Sequence, residues 1–218
     1  MSEDNTNTTK TTKKYYDDVS VGNRTKQTAY FVQQHDKNRI FVELLKTLDT
    51  KQILVLVKSK KNADGLKKYL TEKEIKSIAI HGNHRASQIE DAQTEFNAKE
   101  TTVLITTSRI LDTLSLNDVQ VHVAYDLPLE ARDYFKGLIL VDEIGESISL
   151  IDPEDERMIA TIERMMRCEM QEVEIKNFEH SNASSTNIKD KTKKPRHKKV
   201  EQRAKQKAEM KSRWVPSE

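Results

Sequence analysis

Three short polar stretches stand where apolar, branched runs end: Lys58-Ser59-Lys60 after Leu56-Val57, His81-Gly82 after Ile80, and Thr106-Thr107-Ser108 after Val103-Leu104-Ile105. Ser59, followed by Lys60 and Lys61, begins a helical pattern, and free N–H groups at a helix start attract phosphate. Gly82 beside His81 lets a ligand backbone approach closely. Thr106 and Thr107 offer hydroxyl and N–H donors to a phosphate oxygen. Donors of this kind at strand ends and a helix start suit a phosphate oxygen. Each stretch also has an ordinary structural reading: a helix N-cap, a tight bend and a strand-end cap. A fourth feature lies near the end of the chain. Lys191, Lys193, Lys194, Arg196, Lys198 and Lys199 form a dense basic run that favours polyanions by counterion release. Trp214 beside Arg213 is suited to stacking on a base; a solubilising tail is the plainer alternative. His81 and His84 have no third ligand at sensible spacing, so they read as surface histidines and no metal is expected.

Alternating strand and helix patterns position these stretches. A first strand is expected over Thr28 to Gln33, then a helix capped by Asp36 with Ile40, Phe41, Leu44, Leu45 and Leu48 on one face. Ile53 to Val57 is continuously apolar, as in a strand covered on both sides. A helix from Ser59 carries Ala63, Leu66 and Leu70 inward, and Ile75 to Ile80 forms the next strand. Helix Ala86 to Asn97, strands Val103 to Ile105, Val119 to Val123 and Ser147 to Ile151 continue the series. Asp152-Pro153-Glu154-Asp155 reads as an N-cap with Pro at the first helical position, opening a helix to about Met170 whose Met158, Met165 and Met166 fill the core. Such alternation indicates an α/β fold with a mainly parallel sheet.

Charge is unevenly distributed over the 218 residues. Hydrophobic residues are 35% and charged residues 33%, so the core must lie mostly within residues 28 to 178, with disorder expected at 1 to 27 and 179 to 218. Residues 181 to 218 hold 12 Lys+Arg against 4 Asp+Glu, leaving 25 bases and 31 acids before them. An acidic body with a basic tail leaves the tail to dominate long-range attraction to nucleic acid. No apolar run approaches the roughly 18 residues of a membrane span. A single cysteine, Cys168, has no partner for a disulfide. A cytoplasmic protein is the simplest expectation.

The order of motifs resembles the C-terminal RecA-like domain of DEAD-box RNA helicases over residues 28 to 178. Lys37, Phe41, Leu44 and Leu45 are similar to that family's K-x3-L-x2-LL helix, and Leu56-Val57-Lys58-Ser59 to its motif IV strand. Ile80-His81-Gly82 followed by Phe96, then Val103 to Thr107, then Tyr125-Asp126-Leu127-Pro128 followed by Tyr134, complete the frame. The resemblance implies a three-layer RecA-like sandwich of the P-loop NTPase superfamily, RNA contact at Ser59, Lys60, His81, Gly82, Thr106 and Thr107, and a ribonucleoprotein setting. Tail contacts are expected from Lys193, Lys194, Arg196, Lys198 and Lys199.

The functional positions depart from the family. On the loop a-T-D-v-a-a-R-G-l-D, the acids and the Arg-Gly pair fall on Ser108, Asp112, Thr113 and Ser115. The Gln and Arg after His-Gly fall on Ala86 and Ile89, and H-R-i-G-R-t-g-R falls on Lys136 to Glu143. Gly137, Leu140 and Glu143 thus replace arginines that would stabilise a transferring phosphoryl group. The sequence also contains neither G-x4-G-K-[ST] nor Asp-Glu-Ala-Asp. The expectation is an ATPase-inactive RNA-binding pseudoenzyme with no cofactor of its own. Half of a split helicase, using ATP with a separate ATP-binding domain, is the first alternative; a protein-interaction scaffold is the second. Asp142, Glu143 and Glu146 read as a solvated acidic turn or a dock for a basic partner.

Overall fold

The computed structural model describes residues 17 to 48, 50 to 174 and 178. The ten helices and strands expected from periodicity all have counterparts, in a frame that begins earlier than expected. A short helix over Asp18–Arg24 (α1) leads into strand Lys26–Phe31 (β1). Asp17 holds the helix start by accepting a hydrogen bond from Ser20 N at 2.7 Å. Val21 is buried, and a Cβ on Gly22 would come within 2.5 Å of Met166 Cβ. Residues 17 to 27 therefore correct the expectation of disorder up to 27. They carry too few apolar residues to show a period, and their order comes from tertiary contact.

Next come helix Lys37–Thr47 (α2), strand Ile53–Val57 (β2), helix Lys60–Glu72 (α3) and strand Ile78–Ala79 (β3). Helix Ala86–Asn97 (α4) matches its expected bounds, and strand Val103–Thr107 (β4) passes into a 3-10 turn at Ser108–Thr113. Strand Val119–Ala124 (β5), helix Ala131–Ile139 (α5), strand Val141–Ile151 (β6), helix Glu156–Met166 (α6) and strand Gln171–Glu172 (β7) complete the chain. The sheet order is β3-β4-β2-β5-β6-β1-β7, and all its pairings are parallel.

Period-two alternation splits β2 between two cores. Ile53, Val55 and Val57 face a layer with Ile40, Phe41 and Leu44 of α2 and Ala63, Leu66 and Leu70 of α3. Leu54 and Leu56 face Ala92 and Phe96 of α4 with Ile110 and Leu111 of the 3-10 turn. Farther along that second face, Val21, Tyr134, Leu138, Ile159, Ile162 and Met166 bring α1, α5 and α6 together. Helices on both faces of a parallel sheet give three layers. Among the described residues, no helix is long and apolar enough to cross a membrane.

Local chemistry moved several boundaries. Asp36 does not cap α2 through its side chain; its buried carboxylate accepts from Arg39 Nη1 at 3.1 Å instead. Asp152 is not the cap of α6 either. It closes a turn by accepting from Glu154 N at 2.8 Å and Asp155 N at 3.2 Å, and the helix starts after Asp155. α6 stops at Met166 because Arg167 takes a left-handed conformation, φ 53°. Strand β3 keeps only two of the six residues expected, and β6 begins six residues before Ser147.

One face of the sheet holds a buried polar network. Tyr134 Oη lies 2.9 Å from Gln27 Oε1, 2.8 Å from Ser147 Oγ and 3.3 Å from Ser149 Oγ. His122 Nδ1 reaches the same Ser147 Oγ at 3.0 Å. Burial raises the Tyr134 phenol to about 12 and lowers the His122 imidazole to about 3. A depressed histidine pKa stabilises the fold fully above the unfolded value of 6.5, and that stability is lost as pH falls toward 3. The expected stability slope is up to about 1.4 kcal/mol per pH unit in that window. Urea unfolding at pH 5, 6 and 7 should show a shallower slope for His122→Gln than for the native chain; equal slopes exclude His122 as the source.

Candidate nucleic-acid interface

Parallel strands expose their C-terminal ends along one edge of the sandwich, and the chain reverses its direction of travel around β2, whose neighbours are β4 and β5. A crevice of about 620 Å³ opens there, the position where open parallel sheets bind ligands. Leu56 to Lys60 from the end of β2, Gly82 and Asn83, Thr107 to Arg109, and the loop after β5 form its wall.

The sequence-selected residues divide into those on the crevice and those beneath it. Ser59 lines it, with its hydroxyl committed locally: Oγ accepts from Asn62 N at 3.1 Å and lies 3.0 Å from Asn62 Oδ1. Lys60 Nζ donates to Asn83 Oδ1 at 2.7 Å, bracing the two loops against each other. Gly82 and Thr107 also line the wall. Thr106 does not. Strand alternation turns it inward, fully buried, with Oγ1 lacking a hydrogen-bond partner. His81 is not a surface histidine; it is buried with Nε2 3.2 Å from Asp64 Oδ1, and its ring packs 4.2 Å from that of His84. It supports Gly82 without itself lining the wall. No group of three metal-ligating side chains occurs among the described residues. Lys193, Lys194, Arg196, Lys198 and Lys199 lie outside the described residues.

Two crevice cations were not singled out from sequence. Lys58 and Arg109 are exposed on the wall. Lys58 follows the buried end of β2, where alternation gives way to the helix start, and Arg109 follows Thr107-Ser108 at the end of β4. Asp126 fixes the loops between them. Its Oδ2 accepts from Lys58 N at 3.1 Å and from Asn62 Nδ2 at 2.7 Å, while Oδ1 lies 3.6 Å from Lys37 Nζ. Lys37, only 1% exposed, also meets Asp152 at 3.5 Å and Asp155 at 3.8 Å. Burial, then the Asp152 charge, holds the Asp155 carboxyl above the ordinary carboxylate value, against the pull of Lys37.

The far wall of the crevice carries Leu129, Glu130, Asp133 and Lys136. Lys136 is drawn into an ion triad, 3.3 Å from Asp112 and 3.1 Å from Asp133. Those carboxylates raise its pKa, Asp133 first. Gly137 follows on α5, and a Cβ there would sit 2.6 Å from His122 Nε2 and 2.9 Å from Leu56 Cδ1. Leu140 packs partly buried against the core. Arg24 of α1 reaches this segment from behind: Nη2 donates to Leu138 O at 2.7 Å and Nη1 to Asp142 O at 3.0 Å, capping the C-terminal end of α5. The acidic turn expected at Asp142, Glu143 and Glu146 lies within β6, where Glu146 pairs with Lys51 at 3.5 Å.

Comparison with known proteins places this geometry. Residues 36 to 169 match the helicase conserved C-terminal domain model. The chain belongs to that family. Drosophila melanogaster ATP-dependent RNA helicase vasa is 33% identical over 138 residues, 62% of this chain and 21% of vasa. This chain thus spans about a fifth of that relative's length, and 31% of the Vanderwaltozyma polyspora ATP-dependent RNA helicase SUB2-2, which is 28% identical over 136 residues. The crystal structure of a DEAD box protein from Methanococcus jannaschii superposes with a TM-score of 0.65 at 24% identity, over 71% of this chain and 43% of that one. The fold is RecA-like, as the resemblance implied.

Two substitutions probe the packing and charge on either side of the crevice. Lys37→Met should cost about 3–5 kcal/mol in urea unfolding at neutral pH, because it strands buried carboxylates without a counter-charge; a loss below 1 kcal/mol would mean water already solvates them. Gly137→Arg, which returns the family's residue, should lose about 1–3 kcal/mol through overpacking against His122 and Leu56. The double variant Gly137→Arg/His122→Ala should recover part of that loss. Strict additivity in the double-mutant cycle would exclude contact between the two positions.

Proposed function

We propose that this helicase C-terminal domain binds RNA without hydrolysing ATP, its basic tail providing most of the attraction and its crevice the local contacts. The observation that carries this reading is the polarity of the crevice. One wall presents Lys58, Lys60, Arg109, Gly82 and the start of α3. The opposite wall carries Glu130, Asp133 and a Lys136 already held by two carboxylates, while Gly137 and Leu140, where the resemblance implies arginines, do not line it. The first wall suits a phosphodiester backbone; the second offers no free guanidinium to a transferring phosphoryl group. The RNA-helicase names of the vasa and SUB2-2 relatives support RNA as the polyanion.

The tail, Lys191 to Lys199 with Trp214, supports long-range attraction by its charge and composition. Binding of a fluorescent single-stranded RNA should be measured from 50 to 300 mM salt for the full chain, residues 1 to 180, and full-length Lys58→Glu/Arg109→Glu. The full chain should show a steep salt slope, the truncation a much shallower one, and the crevice variant at least a tenfold loss. ATP turnover with RNA present should not exceed the protein-free blank. No binding by any of the three forms would overturn the reading in favour of a scaffold, and equal binding by all three would remove both the tail and these crevice cations as its source. Turnover appearing only with an added ATP-binding helicase domain would favour the split enzyme.

A further inference from the structure

Helix α3 begins at the crevice and then runs away from it along the surface. Its inner face is Ala63, Leu66 and Leu70, all buried. Its outer face is exposed at Lys60, Lys61, Gly65, Lys67 and Lys68, and at Asp64, which is drawn toward His81 Nε2 at 3.2 Å. Residues 60 to 72 hold four lysines and two acids, whereas the remainder of residues 1 to 180 holds 21 bases and 29 acids. A body that is acidic elsewhere has therefore concentrated positive charge on this one strip. Lys61, Lys67 and Lys68 form no salt bridge among the described residues, although Lys67 lies in the field of Glu95.

Gly65 is the second observation, independent of charge. It sits inside a helix, where glycine is unfavourable relative to alanine. Its φ is not positive, and a Cβ built on it would meet nothing within 4 Å. Neither backbone conformation nor packing among the described residues accounts for a glycine there. A bare Cα between lysines on an exposed face does permit the close approach of an extended ligand backbone.

We infer that the outer face of α3 is a second contact surface for RNA, continuous with the crevice through Lys60 and gripping the phosphodiester backbone of nucleotides that flank the crevice-bound ones. This rests on the crevice reading for its continuity but not for its charge or its glycine. From Lys60 to Lys68 the helix advances about 12 Å, matching the rise of roughly three to four stacked nucleotides. The occupant is RNA and not an acidic protein segment, because a regularly charged strand laid along the helix uses both the lysine spacing and the open Gly65 surface.

The test uses the full chain, with a five-nucleotide single-stranded RNA and a longer probe that joins the same five nucleotides to a twelve-base-pair stem. Lys67→Gln/Lys68→Gln should weaken the long probe about tenfold and lower its log–log salt slope by about 1.5, while binding the short probe as the native chain does. Gly65→Gln should raise the melting temperature by a few degrees, since it restores helix propensity, and yet weaken the long probe several-fold. A more stable protein that binds less tightly cannot be explained by misfolding. Unchanged binding of the long probe by both variants would overturn the inference and leave a solvated face. Equal losses for the RNA and for poly-glutamate would overturn the assignment to RNA in favour of an acidic protein partner. The Lys58→Glu/Arg109→Glu variant separates the two readings: if it leaves both probes unaffected while the α3 variants weaken the long one, the crevice fails and the α3 surface stands.

Discussion

The fold is tied together by one buried ammonium. Lys37 enters from the first turn of α2 and meets Asp126 after β5, with Asp152 and Asp155 before α6. Three segments distant in sequence thus converge on a group that is 1% exposed. Removing two or more charges from water is expensive, and the arrangement holds only because each carboxylate has further partners. Asp126 takes Lys58 N and Asn62 Nδ2; Asp152 takes two backbone N–H groups of its own turn. The Lys37 ammonium also lies 5.9 Å from the centroid of the Tyr125 ring, where the aromatic face adds attraction. The consequence reaches the crevice directly, because the carboxylate that satisfies Lys37 also fixes the end of β2 and the start of α3. Stability and the shape of the binding wall share the same atoms.

A different constraint governs the opposite wall. Restoring an arginine at position 137 is not a local change, since His122 and Leu56 fill the space a Cβ would need. His122 in turn is neutral, buried and bonded to Ser147, which also meets Tyr134. The polar network and the glycine form one packed unit under α5. At Lys136 the neighbouring carboxylates do the equivalent job in charge: Asp112, where the family resemblance implies an arginine, now attracts the cation it would otherwise repel. The packing beneath Gly137 and the ion triad at Lys136 are mutually consistent, each local choice agreeing with its surroundings.

Strands and helices with a strong period were legible in the sequence: β2, α4, β4 and β5 match in place because burial on a fixed face writes itself into residue spacing. What sequence reading missed lies where tertiary contact decides. α1 has little apolar pattern and is held by Gly22 against Met166 and by Arg24 on α5. α5 spans nine residues between a proline loop and a strand, too short for its Tyr134, Phe135 and Leu138 to declare a period. The capping residues of α2 and α6 misled for a physical reason: an aspartate that can cap a helix can equally answer Arg39 or close its own turn, and composition does not choose between them. The candidate site follows the same division. Ser59, Lys60, Gly82 and Thr107 reach the crevice because strand ends mark its position, whereas Thr106 is excluded by a single step of strand alternation.

That single step also clarifies how recognition is distributed. In a parallel strand, adjacent residues cannot both face the same wall, so only one threonine of the pair can present its side chain to the crevice. A wall built this way depends on loop cations and helix-start N–H groups more than on strand hydroxyls. Lys58, Lys60 and Arg109 come from three loop or helix-start positions held in register by Asp126 and Asn83. Such a wall is specified by backbone geometry and tolerates change in the side chains around it. The two sides of the crevice therefore rest on different constraints: the α5 side on the ion triad at Lys136 and the packing beneath Gly137, the loop side on the hydrogen bonds that anchor Lys58 and Lys60.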